Sequence, residues 1–208
     1  MQALFGITRA SAGTLSINDQ QVSAKNPADA IAHGLVYVPE DRGKQGAITG
    51  LPIVGDIALP SLKETSHQGF VRLAREYALA RQYTSRLEVR AAALDQPVRE
   101  LSGGNQQKVV IAKWLATQPI VIILDEPTKG IDIGSKAAVH AFMRELASQG
   151  LAVIMVSSEI PEIVGMSDRI IVMREGRQVA EFDREEATPE NLVRAAAGIN
   201  DNIKEGVA

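Results

Sequence analysis

The sequence predicts an α/β protein with a mostly parallel sheet covered on both faces. Three observations carry this. Apolar runs at Leu35-Val36-Tyr37-Val38, Ile120 to Leu124 and Ala152 to Val156 are continuous rather than alternating, as strands buried on both faces are. A helical stretch from Ser135 to Ser148 separates the last two runs, giving the strand–helix–strand order of a parallel sheet. Two carboxylates, Asp125 and Glu126, follow the central run, at the strand end where open α/β sheets place their ligand sites.

The elements follow in order. Met1 to Phe5 reads as the last turns of a helix stopped by Gly6. Leu15 and Ile17 alternate with polar residues before an Asn18-Asp19 turn, predicting an edge hairpin. Asn26 then Pro27 is a helix cap followed by a first-turn proline, and Gly34 closes a short helix over Pro27 to His33. From Gly43 to Gly55 the composition is that of a loop. Gly69 to about Ala93 places Phe70, Leu73 and Tyr77 at helical spacing. Residues 52–100 are therefore expected to be a mostly helical insert outside the sheet. A helix from about Asn105 to Thr117 follows, then the strand ending at Asp125. Arg169 to Met173 and Val179 to Phe182 read as strands joined at Glu175-Gly176. Thr188-Pro189-Glu190 opens a last helix that Gly198 closes, and the final ten residues are expected to fray.

Composition narrows the function. With 22 Lys+Arg against 25 Asp+Glu, the net charge is −3 and no basic stripe is present, which argues against nucleic acid as partner. The absence of cysteine excludes disulfides and thiolate metal sites and favours a reducing compartment. The apolar runs are far shorter than the ~20 residues needed to span a bilayer, and no signal peptide opens the sequence. A cytoplasmic protein is expected, with any membrane association made through a partner.

Two motifs carry chemistry. In Leu101-Ser102-Gly103-Gly104-Asn105-Gln106-Gln107-Lys108, Ser102 is placed to cap a helix, and the glycines let a ligand approach the backbone. Free N–H groups and the positive helix end there favour an anion. In Ile120-Val121-Ile122-Ile123-Leu124-Asp125-Glu126-Pro127, one carboxylate can orient Mg²⁺, and its neighbour can position or deprotonate an attacking water. Each has a plainer reading, as a capped helix and as a strand stopped by proline. A Gly-x-x-x-x-Gly-Lys-Ser/Thr phosphate loop is absent from the 208 residues.

In this order and spacing, the two motifs resemble the ATP-binding cassette family, whose signature precedes its Walker B strand. Gly130-Ile131-Asp132 falls where that family has its D-loop, and the helical insert matches its helical subdomain. The chain looks closest to the second cassette of bacterial importers for ribose, galactose, xylose, arabinose or autoinducer-2. Val36-Tyr37-Val38-Pro39-Glu40-Asp41-Arg42, the Asn105 to Lys108 extension, Val156-Ser157-Ser158-Glu159 and Met166 to Met173 carry that likeness. Met1 to Gly6 matches the helix immediately after the phosphate loop.

The resemblance implies a P-loop NTPase-like cassette core over residues 1–208, lacking its N-terminal strands and phosphate loop. Residues 52–100 would be the helical subdomain, 101–182 the signature and Walker B core, and 183–208 the terminal helix and tail. The implied cofactors are ATP and Mg²⁺. Glu126 would be the catalytic carboxylate. Ser102, Gly103, Gly104, Gln106, Glu40, Asp132 and Ser158 would contact nucleotide, with Asp125 and Glu40 at the metal. Two positions depart from the common pattern: Glu40 stands for the Q-loop glutamine and Ser158 for the switch histidine. The latter cannot carry positive charge, and none of His33, His67 or His140 is placed to substitute.

Cassettes of this family work as head-to-tail pairs, so Ser102 to Gly104 would complete the ATP site of a partner cassette. The expected partners are a first cassette, a transmembrane sugar permease at the cytoplasmic face of the inner membrane and, indirectly, a periplasmic sugar-binding protein. The competing expectation is a non-catalytic regulatory fragment without ATPase activity of its own. Chromosome-maintenance ATPases also bear the signature but carry long heptad coiled coils, and none is present.

Overall fold

The computed structural model describes residues 1–199 and divides into two compact units, Met1–Val156 and the part from Ser157 onward. The expected frayed tail lies, from residue 200, outside the described residues.

The first unit is built on three parallel strands, β3 (Leu35–Val38), β6 (Val121–Asp125) and β7 (Ala152–Val156), with β6 central. Pairing of Val38 with Leu124 and of Asp125 with Val156 sets Asp125 at the strand end, as expected. Val36, Val38, Ile122, Ile123 and Leu124 are fully buried. Their unbroken β-branched and leucine run is what a two-sided sheet position demands.

The hairpin before the sheet forms as expected from β1 (Leu15–Ile17) and β2 (Gln20–Val22). Asn18 and Asp19 take left-handed φ of 51° and 60°, which a two-residue hairpin turn requires. Helix α1 (Pro27–Ala32) is capped by the Asn26 side chain, which accepts from the Asp29 N–H. Met1 to Phe5 is a turn rather than a helix end: Leu4 N–H and Phe5 N–H both donate to Met1 O. Gly6 explains the stop, because at φ +77° an added Cβ would meet the Asn26 backbone at 2.7 Å. Phe5 is buried against Tyr37 and Trp114, with ring centroids 5.8 and 5.7 Å away.

The stretch expected as loop is partly helical. Arg42–Gly46 forms a single wide turn begun by the Asp41 carboxylate, which accepts from Gly43 and Lys44 N–H. Helix α2 (Ile53–Ala58) then starts inside the predicted loop, where fully buried Ile53 and Ile57 supply the packing that overrides Gly55. Short α3 (Leu62–Thr65) follows.

Gly69 does not start a helix. It turns a small hairpin of β4 (Ser66–His67) and β5 (Phe70–Val71), with Gln68 and Gly69 both left-handed. Phe70 is 80% exposed, so it is not the helix contact its spacing suggested. Helix α4 begins later and spans Leu73–Arg86.

The two ends of this segment are zipped together by backbone bonds. Ile53 N–H donates to Gln96 O, Val54 to Leu94, Val98 to Leu51 and Arg99 to Thr49. Helix α5 (Gly103–Leu115) leads back toward β6, and α6 (Ile133–Ser148) crosses from β6 to β7.

A buried ion pair joins α2 to α5. Lys113 Nζ lies 3.1 Å from Asp56 Oδ1 and 2.9 Å from Gly46 O, while Ile48 N–H donates to the same Asp56 oxygen at 2.8 Å. One salt bridge thereby fixes the wide turn after β3 against the helix that begins at Gly103.

The second unit contains α7 (Ile160–Met166), the hairpin β8 (Arg169–Arg174) and β9 (Arg177–Asp183), and α8 (Pro189–Ala197). Strands β8 and β9 form their own antiparallel sheet around a core of Ile170, Ala180, Phe182, Leu192 and Ala195. Helix α7 was not expected: it has no side-chain cap, although Pro161 in its first turn and Glu162 mark its start. Thr188 caps α8 by accepting from Asn191 N–H, and Gly198 closes it in the left-handed conformation.

Candidate functional site

Four backbone segments of the first unit converge at the C-terminal end of β6. Asp125 ends that strand half-buried, and the Tyr37 hydroxyl, from neighbouring β3, donates to its Oδ2 at 2.7 Å. Burial, then the bond to Asp125, pushes the Tyr37 phenol well above its ordinary value, so it remains a donor. Among the described residues only Tyr37 donates to this carboxylate, which leaves Oδ1 open.

Glu126 follows with φ of 47°. A left-handed glutamate is strained by roughly 1–2 kcal/mol, and here the kink is held by Glu126 N–H donating to Val156 O and Lys129 N–H to Glu126 O. Strain of this kind concentrates at functional positions. Glu126→Gly is expected to raise the unfolding free energy by about 1 kcal/mol, read as a higher urea midpoint at constant slope. A lower midpoint would show that the glutamate side chain contributes more than the strain costs.

Glu40 lies just after β3 and is exposed; its Oε1 accepts from Lys129 Nζ at 2.7 Å. That bond, and then the carboxylate charge, holds the Lys129 ammonium above its ordinary value. Arg42 reaches the same loop, donating to Lys129 O at 3.1 Å and Gly130 O at 3.5 Å. The turn after β3 and the loop after β6 are thus clasped by two reciprocal contacts. Neither Arg42 nor Lys129 was singled out from the sequence, since no local pattern marks contacts 87 and 89 positions apart.

The signature lies against this clasp. Gly103 and Gly104 also have a packing reason to be glycine. A Cβ on Gly103 would meet the Arg42 guanidinium at 2.7 Å, and one on buried Gly104 would meet Ser135 Oγ at 2.5 Å. Ser135 is held in turn by Asp132, which caps α6 by accepting from Ser135 N–H at 2.9 Å and Ser135 Oγ at 2.7 Å. The Ser135 hydroxyl and then its N–H hold the Asp132 carboxyl below its ordinary range. Gln106 turns back, its Nε2 donating to Leu101 O at 2.9 Å. Ser102 occupies the cap position of α5 but its side chain makes no capping bond, contrary to the capping role expected.

Glu40, Asp125, Glu126, Ser102, Gly103, Gly104, Gln106 and Asp132 all lie in the first unit. Ser158 belongs to the second, exposed in the turn before α7. There Ser157 Oγ donates to Glu162 Oε2 at 2.6 Å and accepts from Glu159 N–H.

The donor set bears on Mg²⁺. Among the described residues, no three carboxylates or histidines cluster as a metal cage. Asp125, with one oxygen held and one open, fits the sparser demand of a hydrated Mg²⁺, which takes one or two carboxylates together with substrate phosphates. Glu40 Oε1 is engaged by Lys129, which competes with a cation for this carboxylate. Among the described residues, no helix is long and apolar enough to cross a membrane.

The model of the family described as "ABC transporter" matches residues 1–129. The chain is 70% identical over 205 residues to the ribose import ATP-binding protein RbsA of Jannaschia sp. (strain CCS1), covering 99% of this chain and 40% of that protein. It is 71% identical over 199 residues to the protein of that name from Roseobacter denitrificans, covering 96% and 39%. The chain therefore spans about two fifths of the length of these relatives.

Among solved structures, the dimeric ATP-binding cassette MJ0796 in a post-hydrolysis state bound to ADP and Pi superimposes with TM-score 0.73 at 20% identity. That match covers 88% of this chain and 78% of that one. Cassette cbiO1 of Clostridium perfringens gives 0.73 at 21% identity, covering 95% and 76%. The fold is that of these cassettes, and the chain belongs to the ABC transporter family.

Proposed function

We propose that this segment is the second-cassette part of the ATP-binding subunit of an importer for ribose or a related sugar. In this reading its signature completes, in trans, an ATP site on a partner cassette that carries a phosphate loop. The observation that carries the reading is the 70% identity across 99% of the chain to a protein named for ribose import. Backbone amides and a lysine are what cradle β- and γ-phosphates, and in this reading the partner cassette supplies them.

Each residue then has a role. The exposed Ser102 hydroxyl and the first N–H groups of α5 bind the partner's nucleotide phosphates. Gly103 and Gly104 hold that helix start against Arg42 and Ser135. Mg²⁺, when bound, would neutralise phosphate charge. On the segment's own side Asp125 would orient it, with Tyr37 fixing the carboxylate, while Glu126 would position a water and Glu40 would exchange Lys129 for the ion. Gln106 supports the Leu101 carbonyl and Asp132 anchors α6 behind Gly104. Ser158 stands where a positively charged contact is usual and cannot carry charge, which disfavours rapid turnover on this side.

Residues 52–100 serve as the helical subdomain, 101–182 as the signature and Walker B core, and 183–208 as terminal helix and tail. The partners are a first cassette, a transmembrane sugar permease and, through it, a periplasmic sugar-binding protein. The assembly sits at the cytoplasmic face of the membrane. A second reading, a regulatory nucleotide-holding module, is favoured by Glu40 being engaged with Lys129.

Calorimetry on the 208-residue segment separates the two. No stoichiometric MgATP binding and no turnover are expected. Binding at one equivalent would favour the regulatory reading, and turnover abolished by Glu126→Gln would overturn the trans assignment.

A further inference from the structure

The structure assigns Asn105 as the positioning residue that fixes the hydrogen-bond polarity of the Ser102 hydroxyl. This rests on the reading that Ser102 meets the phosphates of a partner's nucleotide. Ser102 occupies a helix cap position, where a serine oxygen ordinarily accepts from a backbone N–H of the first turn. It makes no such bond. Its Oγ instead faces Asn105 Nδ2 at 2.9 Å, while Asn105 Oδ1 accepts from the Arg90 N–H at 2.8 Å.

The polarity of this relay has only one solution. A backbone N–H can only donate, so the Asn105 atom facing Arg90 must be the carbonyl oxygen. The amide nitrogen is then the atom that faces Ser102, and it can only donate. The single hydroxyl proton of Ser102 cannot point into that donor, so it points away from Asn105, on an exposed side chain. Ser102 is therefore set as a donor to whatever arrives, which suits a phosphate oxygen. A hydroxyl that accepts one hydrogen bond also donates more strongly.

The anchor of the relay is itself held. Glu88 is left-handed at φ 51°, its carbonyl accepts from Lys108 Nζ at 3.1 Å, and Val89 N–H donates to Thr84 O. Asn105 and Lys108, one turn apart on α5, thus grip the same segment that follows α4.

Asn105→Asp tests this with little change of shape. A carboxylate still accepts from Arg90 N–H but can no longer donate to Ser102, so the Ser102 proton turns inward and the outward donor is lost. In the assembled two-cassette ATPase, Ser102→Ala and Asn105→Asp are each expected to lower kcat/KM by about tenfold or more. Melting midpoints measured in parallel report any loss of fold.

The deciding comparison is the double variant. Because the new charge also repels phosphate, Asn105→Asp will cost something in any background. Its penalty is expected to be at least about fivefold smaller once Ser102 is already alanine. Equal penalties in both backgrounds overturn the relay, as does wild-type turnover in Asn105→Asp while Ser102→Ala is impaired. Wild-type turnover in Ser102→Ala overturns the trans reading itself, and the relay with it. If Asn105→Asp melts early, Asn105→Leu replaces it in the same cycle, with coupling to Ser102 again expected and additivity again fatal.

Discussion

Lys113→Met is expected to lower the unfolding free energy by about 3–5 kcal/mol, the cost of stranding one charge of a buried pair. Asp56 is fully buried and the Lys113 side chain is 9% exposed, so water cannot rescue the carboxylate. Among the described residues its Oδ2 lacks a partner, and Lys113 supplies the only countercharge bonded to Oδ1. Against a typical total stability of about 5–15 kcal/mol, this is the most damaging single change argued from the structure. The expected pattern across variants is specific. Adding Asp56→Leu to Lys113→Met should recover stability, because a pair replaced as a whole leaves no buried charge. Recovery should be incomplete, since Gly46 O and Ile48 N–H lose their partners at roughly 1–3 kcal/mol each. Urea unfolding measures all three proteins. A loss under 1 kcal/mol in Lys113→Met, or a further loss in the double variant, would show that the pair is not the fastener of this region.

This pair also illustrates what could be read from the sequence and what could not. The central strand ending at Asp125 was legible because burial on both faces forces an unbroken apolar run, which is a local pattern. So were the Asn18-Asp19 turn, the Asn26 and Thr188 caps and the left-handed Gly198, each fixed by the chemistry of one or two residues. The errors came where tertiary packing decides. Phe70 has helical spacing from Leu73 and Tyr77, yet Gly69 turned a hairpin and left the ring in solvent. Helix α2 formed in a glycine-rich stretch because the insert's two ends zip together around it. Helix α7 is only seven residues long and lacks a capping side chain, so Pro161 and Glu162 are its only start signals.

The candidate site divides in the same way. Asp125 and the Ser102 to Gly104 run stand out by composition and spacing. Tyr37, Arg42 and Lys129 do not, because their meaning lies in contacts about ninety positions away. The glycines carry a packing role that no local pattern announces. Space for a ligand was the expectation, whereas Arg42 and Ser135 fill the space that a Cβ would need.

Ser102→Arg is expected to have the largest functional effect. The hydroxyl is exposed at the start of a thirteen-residue helix, is not spent on capping, and is set by Asn105 to donate outward. An arginine there replaces the short, positioned hydroxyl with a long side chain whose donors lie elsewhere, and it fills the approach to the helix start. Removing one preorganised donor to developing charge typically costs 10²–10³ in turnover, and the added bulk acts in the same direction. Ser102 is exposed and its side chain makes no capping bond, so the fold should survive.

The most direct test of a signature acting in trans is a titration. A fixed amount of the phosphate-loop-bearing cassette is mixed with increasing amounts of this chain, and the ATP hydrolysis rate is followed. With the native sequence the rate should rise and saturate at one equivalent, and with Ser102→Arg the rise should be lower by about a hundredfold or more. An equal rise with both proteins, at matched assembly, would contradict it.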